Sequence, residues 1–134
     1  MIFLDTSAIL ALANTRDSHH EEAVASLESV VAEGQALLTH NYVLVESAAL
    51  LQNRLGLESS LAFLSDAERF TVHWVSPSDH AAAVEIVADR NLRGLSLVDC
   101  MSFVVMRQYS VNTALAFDAD FEAEGFETAS SLTP

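Results

Sequence analysis

Four carboxylates stand in surroundings that do not suit them. Asp5 directly follows the apolar run Ile2-Phe3-Leu4. Glu46 lies between Tyr42-Val43-Leu44-Val45 and Ala48-Ala49-Leu50-Leu51. Asp99 lies between Leu97-Val98 and Cys100-Met101, and Asp118 follows Ala114-Leu115-Ala116-Phe117. A lone carboxylate held away from water costs several kcal/mol unless it is paired, hydrogen-bonded or bound to a cation. Pairing is scarce here, because the six basic residues, all arginine, face 19 acidic ones. A divalent cation resolves the problem for several carboxylates at once, since Mg²⁺ and Mn²⁺ favour hard oxygen donors.

Each residue also has a plainer reading. Asp5 can cap the helix that follows it. Glu46 can lie on an exposed face, although Tyr42, Val43, Ala49 and Leu50 sit three or four positions away and make that face apolar. Ser96-x-x-Asp99 is the pattern of a capping box, which needs no metal. Asp118 can be an ordinary turn aspartate. Their joint arrangement separates the two readings, and it depends on the elements that carry them.

Residues 1–4 read as a buried strand ending on Asp5. A helix is expected over 6–14, and an amphipathic one over 19–33, with Ala23, Val24, Leu27, Val30 and Val31 on one face and Gly34 as its stop. A short strand fits 36–38. A long helix then runs from Thr39 or His40 through Leu55 to Gly56, followed by another over 58–69. The β-branched and aromatic content of 70–75 predicts a strand. Ser78 is expected to cap a helix reaching about Asn91, and Ser96 to cap one over 97–109. Residues 113–117 form a last apolar strand ending on Asp118. Both prolines, Pro77 and Pro134, are expected outside the periodic segments. Strands alternating with helices predict an α/β fold, a three-layer α/β/α sandwich around a mainly parallel sheet, as one domain over 1–134. Ligands of such sheets gather beyond the carboxyl ends of the strands, where Asp5 and Asp118 fall.

The composition narrows the field. A hydrophobic fraction of 51% over 134 residues excludes a disordered acidic tail. No apolar run reaches the roughly 18 residues of a membrane span, and Met1-Ile2-Phe3-Leu4-Asp5 lacks the basic start of a secretory signal. The lone Cys100 fits a reducing, cytoplasmic setting and cannot build a thiolate zinc site. A formal net charge of −13 repels nucleic-acid backbones unless cations or clustered arginines reverse the field locally. It also suits a basic protein partner or a high-salt habitat.

The four segments, in this order and spacing, resemble the PIN-domain family over nearly the whole chain. Ile2 to Leu10 is similar to its opening strand, with Asp5 and a hydroxyl residue following. Val45-Glu46, Leu95-Ser96-Leu97-Val98-Asp99 and Ala116-Phe117-Asp118-Ala119-Asp120-Phe121 are similar to its second, third and fourth acidic positions. Two departures are visible: Ala116 stands where many relatives carry Thr or Ser, and Cys100 where Ala is common. The compact size resembles the VapC-like toxins of toxin–antitoxin pairs.

That resemblance implies a Mg²⁺- or Mn²⁺-dependent endoribonuclease that cleaves single-stranded RNA by metal-activated water. It implies Asp5, Glu46 and Asp99 as the core ligand set, completed by Asp118 directly or through water, with Asp120 as an alternate. Thr6, Ser7 and Ser96 would orient these groups. Arg16, Arg54, Arg90, Arg93 and Arg107 can contact the RNA backbone, with Arg90 and Arg93 preferred because they flank the loop into Asp99. His19 and His20 read as surface residues at the start of a solvated helix. The apolar sides of the 42–51 helix imply a homodimer, and an apolar groove an antitoxin. Phospho-acceptor receiver domains and other α/β metal-dependent phosphohydrolases fit less well: receivers rely on a lysine, and haloacid-dehalogenase-like enzymes need Asp-x-Asp where Asp5-Thr6-Ser7 stands. A non-catalytic PIN-like binding module remains the alternative, although such a module would gain stability by losing its carboxylates.

Overall fold

Strand β1 (Ile2–Leu4) is fully buried and lies in the middle of the sheet, as its unbroken apolar run requires. It pairs in parallel with β2 (Leu37–His40) on one side and β4 (Ala114–Leu115) on the other. Strand β3 (Thr71–His73) adds to the far side of β2, giving the order β3-β2-β1-β4 with every pairing parallel. The carboxyl ends of all four strands therefore share one edge. The computed structural model describes residues 1–128. The last part of the expected domain, including Pro134, lies outside the described residues.

Helices α1 (Thr6–Ala13) and α2 (His20–Ala32) connect β1 to β2, while α3 (Asn41–Leu55) and α4 (Leu57–Asp66), ending in a 3₁₀ turn at Ala67–Arg69, connect β2 to β3. The return to β4 is made by α5 (Pro77–Arg90) and α6 (Leu97–Gln108), which pack together. Right-handed crossovers put the first four helices on one face and α5 and α6 on the other, the three layers expected. The tight corner between α3 and α4 is made by Gly56 at φ 104°, a backbone conformation that disfavours any side chain.

The expected boundaries hold within a few residues, with two differences. Strand β4 spans only two of the five residues expected. The helix α5 starts earlier than the sequence suggests: Ser76, not Ser78, is its cap, and Pro77 occupies the first helical position. Proline fits there because its missing N–H would have no partner in the first turn. Ser76 and Asp79 form a capping box, a pattern hidden in the sequence by the second serine.

The core positions the site. Phe3, Phe103 and Phe121 are fully buried. Phe121 packs edge-to-face on Phe103 at 5.3 Å and tilted on Phe3 at 6.1 Å. Phe121 belongs to α7 (Asp120–Ala123), so this contact ties the turn carrying Asp118 and Asp120 to the strand carrying Asp5. Truncating such a ring costs roughly 3–5 kcal/mol.

Candidate metal centre

Asp5 leaves the end of β1 as the N-cap of α1, with its side chain only 3% exposed. Its Oδ2 accepts two bonds from Ser7, one from the backbone N at 3.1 Å and one from Oγ at 2.6 Å. The Ser7 hydroxyl also accepts from the backbone N of Phe117 at 3.0 Å, so it links β1 to the segment after β4. Ser7, rather than Thr6, orients the carboxylate. Thr6 instead accepts from Ser47 Oγ at 3.1 Å and locks α3 against the start of α1.

Asp99 arrives from the opposite face through the expected capping box. Its Oδ2 accepts from Ser96 N at 3.0 Å and from Ser96 Oγ at 2.9 Å. Both bonds fall on one oxygen, and Oδ1 has no hydrogen-bond partner among the described residues. Capping and metal binding are therefore compatible, and the first does not explain away the second. Asp118 uses Oδ1 to accept from Asp120 N at 3.0 Å, which turns the chain back so that both carboxylates face the same way.

Asp99, Asp118 and Asp120 each present an oxygen to a common point, with these atoms within 4.8 Å of one another. Asp5 lies close enough for the Asp99 and Asp118 charges to act on it. Burial first, opposed by the Ser7 bonds and aided by those charges, pushes the Asp5 carboxyl up to about 6. Burial and then the Asp118 carboxylate push Asp120 up to about 6. Burial raises Asp99 as well, against the two Ser96 bonds. Among the described residues no arginine or histidine forms an ion pair with any of the four. A cluster of uncompensated oxygens, crowded enough to hold protons, is a donor set that fits a hard divalent cation.

Glu46 is half-buried on α3, next to the Ser47 that contacts Thr6. Its helix therefore adjoins the Asp5 end of β1, but its carboxylate is not among the three that converge. Asp120, expected as an alternate, stands inside the group. The arginines divide clearly. Arg90 binds Glu124 through Nε and Asp89 through Nη1, and Arg107 binds Glu124 at 2.8 Å. Arg93 is exposed in the loop before Asp99, with no ion pair among the described residues. The capture of Arg90 by a residue 34 positions away leaves no local trace in the sequence. Another feature without such a trace is the stacking of His19 on Phe117, with centroids 4.5 Å apart and rings 11° from parallel.

A family model described as the PIN domain matches residues 2–126. A curated relative, the 23S rRNA-specific endonuclease VapC20 of Mycobacterium tuberculosis, is 37% identical over 130 residues, covering 94% of this chain and 95% of its own. The crystal structure of that organism's VapC20, described as a Sarcin-Ricin loop cleaving toxin, superposes with a TM-score of 0.83 at 33% identity over 94% of this chain and 96% of its own. FitAcB from Neisseria gonorrhoeae shares the fold at a TM-score of 0.64 and 18% identity, over 96% of each chain.

Proposed function

The chain belongs to the PIN-domain family, and from that premise we propose that it is a divalent-metal-dependent endoribonuclease, the toxin half of a toxin–antitoxin pair, acting on 23S ribosomal RNA. The observation that carries this reading is the convergence of Asp99, Asp118 and Asp120 beside buried Asp5, with no ion pair to any of them among the described residues. Asp5, Asp99 and Asp118 would hold Mg²⁺ or Mn²⁺, with Asp120 directly or through water and Glu46 from the α3 side. When bound, the ion supplies Lewis acidity to the hydrolysis and offsets charge on the phosphodiester.

The protein's own groups do the rest. Ser7 fixes Asp5 and couples it to the backbone at Phe117, so two strand ends keep one spacing. Ser96 fixes Asp99 through one oxygen and leaves the other for the cation. Arg93 can reach a phosphate, whereas Arg90 is held by Glu124 and would have to leave that bond to do so. The substrate class follows from the similarity to VapC20 in sequence and fold.

Two surfaces support partners. A cavity of about 550 Å³ between α1, α2, α4 and β2 is lined by Ile9, Leu12, Leu27, Phe63 and Phe70, with Asp66 and Arg69 among its polar residues. It suits the apolar side chains of an antitoxin segment. On the 42–51 segment Val45 is 70% exposed, and on α4 Leu57 and Leu61 are each 56% exposed, a surface suited to a homodimer. No helix among the described residues is long and apolar enough to cross a membrane; an enzyme acting on ribosomal RNA would work in the cytoplasm.

The test is cleavage of 23S rRNA by purified protein with Mn²⁺ or Mg²⁺, and its loss in excess EDTA. Undiminished cleavage in chelator would sink the metal mechanism. Light scattering that reports only monomer at micromolar concentrations would sink the dimer.

A further inference from the structure

Resting on the ribonuclease reading above, the geometry points to the loop between α1 and α2 as an RNA-docking element, in which His19 stacks a nucleobase next to the scissile phosphate and Arg16 contacts the backbone. His19 is exposed, and its ring lies flat on Phe117. Phe117 directly precedes Asp118, and its N–H donates to the Ser7 hydroxyl that holds Asp5. The stacked pair therefore stands at the rim of the carboxylate cluster, fixed to it through two residues.

The ring's position is set by the loop beneath it. Asp17 accepts from His19 N at 2.8 Å, Asn14 accepts from Arg16 N at 3.0 Å, and His20 bonds the Ala11 carbonyl at 2.8 Å. The His19 ring itself makes no hydrogen bond among the described residues. One face is occupied by Phe117, and the residue as a whole is exposed. A flat aromatic surface held in place beside a hydrolytic centre suits the π-face of an unpaired base, the contact by which single-stranded RNA is ordinarily gripped.

Charge supports the same assignment. On a chain of net charge −13, phosphates approach only where cations are free. Arg90 and Arg107 are spent on Glu124. Arg16, exposed three residues before His19, has no ion pair among the described residues, and Arg93 has none in the loop before Asp99. Two free guanidinium groups thus stand in the loops that lead to the platform and to Asp99.

The experiment measures binding of a fluorescein-labelled RNA carrying the sarcin–ricin loop by anisotropy, with Ca²⁺ in place of Mn²⁺ so that cleavage does not enter. Cleavage with Mn²⁺ is scored separately. His19→Ala is expected to weaken binding by on the order of tenfold, the effect of losing one stacked base, with an unchanged melting temperature. His19→Tyr should restore most of the loss. Removing the base beside the cut site should weaken binding to the parent protein but add little to the loss in His19→Ala. Arg16→Ala should flatten the salt dependence of binding by about one unit of slope. A parent that cleaves the RNA while His19→Ala binds it equally well overturns the platform alone. Additive losses from His19→Ala and the missing base overturn it too. A parent that binds through His19 but never cleaves overturns the nuclease reading and leaves the platform standing.

Discussion

The chain carries the same four-residue motif twice, with opposite electrostatic results. In both Ser76-Pro77-Ser78-Asp79 and Ser96-Leu97-Val98-Asp99 the aspartate N–H donates to the serine hydroxyl at 3.1 Å, and the serine N–H donates to Oδ2 at 3.0 Å. Around Asp79 the remaining capacity is filled: His73 Nε2 reaches Oδ2 at 2.7 Å and Gln108 Nε2 donates to Oδ1 at 2.6 Å. Those bonds, led by the one from Ser76, hold its carboxyl far below the usual range. Around Asp99 nothing among the described residues donates to Oδ1, burial dominates, and Asp118 stands close, so its carboxyl rises. A cap needs only one oxygen. What happens at the other distinguishes a carboxylate the fold has finished with from one it holds ready for a cation.

Exchange of each aspartate for asparagine should split the two boxes most widely. Asp99→Asn removes a formal charge from a proposed ligand, so cleavage should fall by more than the roughly 10–100-fold typical of losing a supporting partner. Its melting temperature without metal should stay equal or rise, because a repulsion is relieved. Asp79→Asn should show the reverse pattern. It weakens charge-assisted bonds worth roughly 1.5–3 kcal/mol, so it should melt several degrees lower while cleaving normally below its transition. Cleavage and melting of both variants, with and without Mn²⁺, check this. Near-parental cleavage by Asp99→Asn would make the boxes equivalent.

Acid should move the two regions in opposite directions. Asp5 and Asp120 hold folded values of about 6 against 3.8 in the open chain, so the folded metal-free protein binds extra protons between those values. By linkage it gains stability as pH falls from about 7 towards 5. His40 opposes this. Buried, with Nδ1 accepting from Val43 N and Nε2 against Ser102, it stays neutral down to about 3, so stability is lost as pH falls below 6.5, where the open chain protonates. Two carboxylates outweigh one imidazole until about pH 4, below which their gain is complete. Asp79, whose folded value is depressed, then adds to the loss. The melting temperature in EDTA should therefore peak near pH 4, and the rise given by Mn²⁺ should shrink as pH falls through 6. A steady decline from pH 7 to 5 in EDTA would contradict the crowded-carboxylate account.

The smallest contrast concerns the serines. Ser76→Ala and Ser96→Ala each remove a cap worth about 0.5–2 kcal/mol. Their destabilisation should match, while only Ser96→Ala should also slow cleavage, by freeing Asp99 to turn. Equal cleavage by the two variants would show that the Ser96 bond does not hold the site.

The elements and the acidic positions were legible in the sequence because both rest on local pattern. Ile2-Phe3-Leu4-Asp5 announces a buried strand and its end, and the periodicity of 19–33 announces a helix. Strand β4 was overdrawn because an apolar run continues past the two residues that pair. The expectation of Ser78 as the cap fails because either serine can precede a helix, and only Pro77 at the first helical position favours Ser76. The long-range pairings had no such signal. Arg90 is claimed by Glu124 and His19 by Phe117 through tertiary contact, and no spacing along the chain encodes either. Asp120 was placed beside the expected ligands, but its rank within the cluster depended on the turn made by Asp118.

The strand order has a temporal consequence. Asp5 precedes the rest of the cluster in the chain, yet β4, beside β1 in the sheet, is the last strand among the described residues, and Asp118 and Asp120 follow it. A growing chain can complete the β1-β2-β3 side and still have two of its carboxylates unmade. Closure across more than a hundred residues is the slow, non-local step of such a fold. The cluster of carboxylates thus cannot assemble until β4 and the turn after it have been made.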